Sequence, residues 1–158
     1  MKKLTALLLA VLLVFGLAAC AGSPAEPNAK PGDTMTLQDI LTSITKDVAD
    51  LPDTETTELT KDNFEYFAFT AMPDGVEAIA ADALINAVAH SVVLMRAQDA
   101  ETAKKLAADV EANLNPAKWV CVEAEKTAVL VHNCTVLLVM SWSNVTDALT
   151  ANFNALWS

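Results

Sequence analysis

Two cysteines and a histidine near the C-terminus have the side chains from which a reaction centre could be built: Cys121, His132 and Cys134. If Lys126-Thr127 is the two-residue turn of a hairpin, the register places Cys121 opposite His132, with Cys134 diagonal on the same face. A thiol beside an imidazole is a nucleophile pair, and three such ligands on one face suit zinc. A register shift of one residue would move His132 to the opposite face.

Three interpretations of these side chains remain open. Cysteine is among the most commonly buried residue types, and a histidine near a strand end is usually only hydrogen-bonded there, so ordinary packing ranks first. A disulfide between Cys121 and Cys134 ranks second, because diagonal partners on a hairpin are usually too far apart. Catalysis by Cys121 and His132, or a metal site, ranks third. We therefore predict no catalytic residue, no metal and no cofactor.

Other polar residues give weaker signals. His90 and Ser91 are neighbours on a predicted strand, so their side chains face opposite ways and do not act as a pair. Glu123 and Glu125 share a face of a charged hairpin, where we expect both to be solvated. Arg96, the only arginine, lies at a strand end and is predicted to have a surface role.

Hydrophobic periodicity predicts the elements that must position these side chains. The predicted helices cover 36–51, 99–114 and 144–156, and the predicted strands cover 64–70, 76–82, 91–97, 118–124, 128–132 and 135–141, with a solvated loop over 53–62. For residues 76–89 a helix stays open as the alternative, because the segment is rich in alanine. Helices and runs of strands in this order indicate an α+β domain. We expect an antiparallel sheet of about four to five strands with helices packed mainly on one face.

The N-terminus resembles the leader of a bacterial lipoprotein. Two lysines precede an apolar run over 4–19, which is too short for a spanning helix but typical of an export signal. Residues 17–20, LAAC, resemble a lipobox, which implies cleavage before Cys20 and a diacylglyceryl thioether on its sulfur. Cys20 is therefore the predicted lipidation site.

The chain then divides into three predicted parts: a signal peptide over 1–19, a lipid anchor and flexible stalk over 20–35, and a single domain over 36–158. The stalk is rich in proline and glycine and, if extended, spans about 45 Å. Cleavage leaves 139 of 158 residues and changes the formal net charge from −10 to −12, because both lysines of the leader are lost. Such an acidic surface makes nucleic acid an unsuitable partner.

Several segments resemble an uncharacterised lipoprotein family, a domain of unknown function, from anaerobic Gram-positive bacteria. The matching segments are NFEYFAF, AHSVVLMRA, NPAKWVCVEAEK and LLVMS, within residues 60–158. The resemblance implies an extracytoplasmic lipoprotein with one small α+β domain and no assigned substrate, cofactor or catalytic residue. It transfers no functional residue to this chain.

These observations favour binding over catalysis. The predicted domain has a single glycine, Gly75, so it lacks the glycine-rich loop that a nucleotide phosphate needs. We expect a protein anchored by lipid on Cys20 at the extracytoplasmic face of the cell membrane, with an envelope protein or wall polymer as partner. Two alternatives stay open: a small-ligand-binding lipoprotein that serves a transporter, and an enzyme based on Cys121 and His132.

Overall fold

The computed structural model describes residues 29–158. The predicted signal peptide and Cys20 lie outside the described residues. Within the described part, no helix combines the length and apolar character needed to cross a bilayer.

Five helices and five strands make up the described chain. In order they are α1 (Pro31–Thr34), α2 (Leu37–Thr45), β1 (Thr54–Glu58), α3 (Phe64–Ala68), β2 (Glu77–Ala83), β3 (Ser91–Arg96), α4 (Ala100–Asn113), β4 (Lys126–His132), β5 (Thr135–Ser141) and α5 (Ser143–Ala155). The strands form one antiparallel sheet in the order β1-β2-β3-β5-β4. The predicted α+β class and the antiparallel sheet are confirmed.

Helices cover both faces of this sheet, whereas the sequence predicted them mainly on one. On one face α3 and α4 bury a cluster that includes Phe64 and Leu106 against β2, β3 and β5. On the other face α2 and α5 bury a second cluster that includes Ile40 and Phe153. All seven residues of β5 are buried, as its continuous apolar run predicts, because a strand with helices on both faces has no solvated side.

Local hydrogen bonds explain where two helices begin. Thr36 and Asp39 form the predicted capping box of α2, in which the Thr36 hydroxyl accepts from the Asp39 amide at 3.1 Å. Asp99 caps α4 by accepting from the Thr102 amide at 2.7 Å. Helix α2 ends at Thr45, before the predicted end at residue 51, because Lys46 takes an extended backbone conformation.

The aromatic segment predicted as a strand over 64–70 is instead the short helix α3. Phe64 and Ala68 lie one turn apart on the helix and are both fully buried, while Tyr66 points outward. Phe69 then takes a left-handed conformation with φ of 61°, and its amide donates to the Glu65 carbonyl, which ends the helix. Burial of one helical face has outweighed the strand preference of the aromatic residues.

The predicted hairpin with its turn at Lys126-Thr127 is absent, whereas the strands predicted over 128–132 and 135–141 form the hairpin of β4 and β5. Its two-residue turn is Asn133-Cys134, so Lys126 and Thr127 lie within β4 and His132 pairs with Thr135. Asn133 has φ of 49°, a conformation that asparagine tolerates better than most residues. Residues 118–124 form a loop, not the predicted strand, and residues 54–58 of the predicted loop form the edge strand β1.

Residues 30–35, predicted as the end of the stalk, pack against the domain. The Arg96 guanidinium donates to the backbone carbonyls of Met35 at 2.7 Å and Gly32 at 3.1 Å. The Asp33 carboxylate accepts from the Trp157 indole at 2.8 Å, and Gly32 lies so close to the Trp157 ring that any side chain there would clash. Arg96 therefore fastens the entering chain to the domain, which is more than the predicted surface role.

The sheet thus has two distinct ends. We call the end that contains Arg96, His132 and Thr135 the tether end, because the N-terminal segment enters the domain there. The opposite end contains Asp82, Ser91 and Ser141, and we call it the far end. Strands of six or seven residues separate the two ends by about 20 Å.

Candidate functional site

A buried ion pair lies at the far end of the sheet. Lys118, in the loop after α4, donates from Nζ to Asp82 Oδ2 and to Ser91 Oγ, each at 3.0 Å. The Lys118 side chain is only 4% exposed, and that of Asp82 is 24% exposed. Asp82 and Ser91 are opposite each other in the register of β2 and β3, so a single ammonium group joins two strands through their side chains.

Aromatic rings surround the same ammonium group. Lys118 Nζ lies 5.3 Å from the ring centre of Tyr66 and 5.1 Å from those of Phe67 and Trp119. Burial lowers the pKa of Lys118, whereas the Asp82 carboxylate acts in the opposite direction. A carboxylate, a hydroxyl oxygen and three ring faces all attract a cation, so these surroundings suit the ammonium form.

A second buried pair lies on the other face of the far end. His90 is 1% exposed, and its Nδ1 lies 2.8 Å from Ser141 Oγ, which is itself fully buried. Burial lowers the pKa of His90 to about 4, with Asp82 opposing the shift and Lys118 adding to it. The imidazole is therefore neutral at neutral pH. His90 Nε2 and Asp82 Oδ1 are buried and have no hydrogen-bond partner among residues 29–158.

These two pairs resemble nucleophile and base pairs, but their settings do not suit catalysis. Ser91 contacts a lysine and Ser141 contacts a histidine, as in hydrolases that activate a serine. A nucleophile must be reachable by substrate, yet both serines are 0% exposed. The four side chains hold the far end of the sheet together. As predicted, His90 and Ser91 have separate partners.

The far end also exposes apolar side chains. Among residues 29–158, the exposed large hydrophobic side chains are those of Tyr66, Leu84, Ile85 and Val120, which are 60 to 79% accessible to solvent. We call these four residues the apolar patch. Leu84 and Ile85 directly follow the last residue of β2, Val120 lies two residues after Lys118, and Tyr66 contacts Lys118.

Acidic side chains flank the apolar patch. Glu65 precedes Tyr66, Glu123 follows Val120 by three residues, and the Asp53 carbonyl accepts from the Leu84 amide at 3.0 Å. All three carboxylates are exposed, and none belongs to an ion pair in the described part of the chain. The patch therefore has three exposed acidic residues close to it along the chain or through a backbone hydrogen bond, and we call these residues its rim.

The structure does not assemble the predicted centre of Cys121, His132 and Cys134. Cys121 is a free, exposed thiol in the loop over 118–124, so the Cys121–Cys134 disulfide, which ranked second among the interpretations, is absent and Cys121 does not face His132. Cys134 is buried in the turn between β4 and β5. Within residues 29–158, no group of three potential metal ligands comes together.

His132 instead belongs to the tether end. Its Nε2 lies 2.8 Å from Asn154 Oδ1, and its ring stacks on Trp157 with centres 5.0 Å apart. The two glutamates of the predicted hairpin also separate in role: Glu123 is solvated as predicted, whereas Glu125 accepts from the Ser143 amide at 3.0 Å and so caps α5. These contacts of His132 and Glu125 stabilise the fold.

Sequence analysis missed the pairing of Asp82 with Lys118. The two residues are 36 positions apart, and neither belongs to a motif. The predicted strand over 118–124 assigns no role to Lys118, which the structure places in a loop. Only the cluster of aromatic residues around each segment, Tyr66-Phe67 and Trp119, hints at a buried cation.

No family model, no curated protein and no solved structure matches this chain. The resemblance to an uncharacterised lipoprotein family stays a prediction. The apolar side chains exposed at the far end of the sheet are the observation from which we infer a function.

Proposed function

We propose that this protein is a lipid-anchored, extracytoplasmic binding protein whose apolar patch contacts a partner protein of the cell envelope. The observation that supports this proposal is the position of the patch. Tyr66, Leu84, Ile85 and Val120 all lie at the far end of the sheet, whereas the chain from the proposed anchor on Cys20 enters at the tether end. A tether at one end leaves the other end turned away from the lipid surface.

The composition of the patch favours a protein over a polymer as partner. Exposed tyrosine, leucine, isoleucine and valine bury apolar area on contact, and such residues form the centre of protein interfaces, with polar groups at the rim. Because the rim carries Asp53, Glu65 and Glu123, we infer that the partner presents an apolar surface bordered by lysine or arginine. The buried Lys118–Asp82 pair joins the loop that carries Val120 to the end of the strand that precedes Leu84 and Ile85, so it positions both segments before binding.

The anchor is tested by replacing its cysteine. Cys20→Ala removes the sulfur that would carry the diacylglyceryl group, so we expect metabolic labelling with a radioactive fatty acid to be lost completely. The unsubstituted chain and Cys121→Ala are the controls, and both should incorporate label. Fatty-acid label on Cys20→Ala would show that the proposed lipidation site is wrong.

The patch is tested by making it polar. We expect Ile85→Ser with Val120→Ser to reduce the amount of partner complex in detergent extracts of native membranes at least tenfold, because both side chains would lie at the centre of the interface. Native electrophoresis of the extracts measures the complex. Glu101→Ser with Lys104→Ser on α4 is the control, because both residues are equally exposed but lie towards the tether end.

The Cys/His enzyme alternative is separated by a third variant. Cys121→Ala with His132→Ala should leave the complex at the wild-type level, since neither side chain belongs to the apolar patch. If this variant loses the complex while the patch variant keeps it, both with unchanged circular dichroism, the proposed binding surface is wrong.

A further inference from the structure

The edge strand β1 presents backbone groups that no other strand satisfies. The Leu84 amide donates to the Asp53 carbonyl at 3.0 Å, and the Leu59 amide donates to the Ala78 carbonyl at 2.8 Å. The backbone groups of Asp53 and Leu59 therefore face β2 in the antiparallel register of β1 with β2. Because hydrogen-bonding direction alternates along a strand, Thr54, Thr56 and Glu58 point their N–H and C=O groups away from β2. Among residues 29–158, no strand lies beyond β1, so this edge is open within the described part of the chain.

Little in the described chain occupies these outward groups. The Glu58 carbonyl accepts a long hydrogen bond of 3.4 Å from the Asn63 side chain, and no backbone bond reaches Thr54 or Thr56 from outside the sheet. No helix or loop of residues 29–158 covers the strand, as the exposure of Glu55, Thr56 and Glu58 shows. An open edge of this kind accepts an additional strand.

A cavity lies beside the same edge. It has a volume of about 590 Å³ and is bordered by Thr56 and Glu58 of β1, Ile79 of β2 and Leu37 at the start of α2. Side chains of an added strand that lie opposite Thr54, Thr56 and Glu58 would project on this face of the sheet, because directly opposed residues share a face. The cavity therefore offers room for one or two of them.

We propose that β1 and this cavity form a second binding site, which accepts an extended, lysine-containing segment of a partner protein as a sixth strand. Backbone hydrogen bonds to Thr54, Thr56 and Glu58 fix the register of the added strand against β1. Glu55 and Glu58 stand on opposite faces of the edge and are not paired with any cation of the described chain, so lysines of the segment complement both.

A second copy of this chain is the less suitable occupant. Two β1 strands can pair antiparallel about Thr56, but pairing would bring together two chains with a formal net charge of −10 each. The two pairs of glutamates at the edge would then lie within one small interface. Charge thus selects a basic segment over self-association.

The site is tested with the full chain in detergent and a synthetic seven-residue peptide of valines with lysines at positions 2 and 5, a spacing that places one lysine on each face of the added strand. Thr56→Pro removes an N–H that points away from β2, so it closes the edge without breaking the bonds between β1 and β2. We expect Thr56→Pro to weaken peptide binding at least tenfold in calorimetry, whereas the control Thr56→Ala stays within twofold of wild type. In nuclear magnetic resonance spectra, the amides of Thr54, Thr56 and Glu58 should exchange more slowly with the peptide bound.

Two control peptides keep the test decisive even if Thr56→Pro fails to fold. N-methylation of alternate residues blocks the hydrogen-bonding edge of the peptide, and glutamate in place of lysine reverses its charge; we expect each change to reduce affinity at least tenfold. Equal binding of the N-methylated peptide, equal binding by Thr56→Pro and Thr56→Ala, or no binding of the original peptide would overturn the proposal. Concentration-dependent dimers that disappear in Thr56→Pro would overturn it in favour of a second copy. The apolar patch is untouched by these variants, so the two proposals fail separately.

Discussion

Lys118→Met is expected to lower the free energy of unfolding by about 3 kcal/mol, because removal of one partner of a buried ion pair leaves the other without compensation. Asp82 would keep a carboxylate with one oxygen already lacking a partner, and Ser91 would lose its donor. The contacts of the ammonium group with three aromatic rings would also be lost. Urea unfolding at pH 7, followed by circular dichroism, measures the change.

A double substitution distinguishes the ion pair from the packing around it. Lys118→Met with Asp82→Asn removes both charges, so we expect it to destabilise the protein less than the sum of the two single substitutions. Lys105→Met is the matched control, because its salt bridge with Asp109 is exposed on α4, and its effect should stay below about 0.5 kcal/mol. Additive effects in this cycle would show that Lys118 and Asp82 do not interact as described.

The stability of the protein should fall steeply in acid through His90. Its pKa is lowered by burial to about 4 in the folded protein, whereas an exposed histidine has a pKa near 6.5. Between these two values the unfolded chain binds a proton that the folded protein does not, so the free energy of unfolding decreases as the pH falls from about 6.5 to about 4. The loss amounts to about 3 kcal/mol for this group.

His90→Asn isolates that contribution from the carboxylates that titrate in the same range. An asparagine amide can retain the contact with Ser141, but it does not titrate. Urea unfolding of both proteins at pH 7 and pH 4 should therefore show a loss about 3 kcal/mol larger for the wild type than for His90→Asn. Equal losses would mean that His90 is already accessible to protons in the folded state.

The periodicity of apolar residues correctly predicted the elements that bury a single face, such as α4, or both faces, such as β5. Helix α4 shows its inner stripe of Ala103, Leu106 and Val110 at helical spacing, and the five consecutive apolar residues of β5, at 136–140, admit no solvated side. These elements are specified by local sequence, and the structure reproduces both. The strands predicted over 128–132 and 135–141 also form, as β4 and β5.

The segments that were predicted wrongly are those whose conformation depends on distant residues. Phe64 and Ala68 become helical because the core beneath α3 accepts one face of a short helix. Residues 118–124 become a loop because Lys118 turns inward to reach Asp82, 36 positions away. Neither contact leaves a local signal, and for the same reason the far end of the sheet could not be identified as a site from sequence.

The central claim is that the apolar patch faces a partner while the tether end faces the anchor. Site-specific photo-crosslinking in native membranes tests it most directly, with a photoreactive amino acid at Val120 in one strain and at Glu101 in another. Val120 is 79% exposed at the far end, and Glu101 lies in the first turn of α4, towards the tether end. We predict one reproducible crosslinked protein from position 120 and none from position 101; crosslinks to the same protein from both positions, or from position 101 alone, would contradict the account.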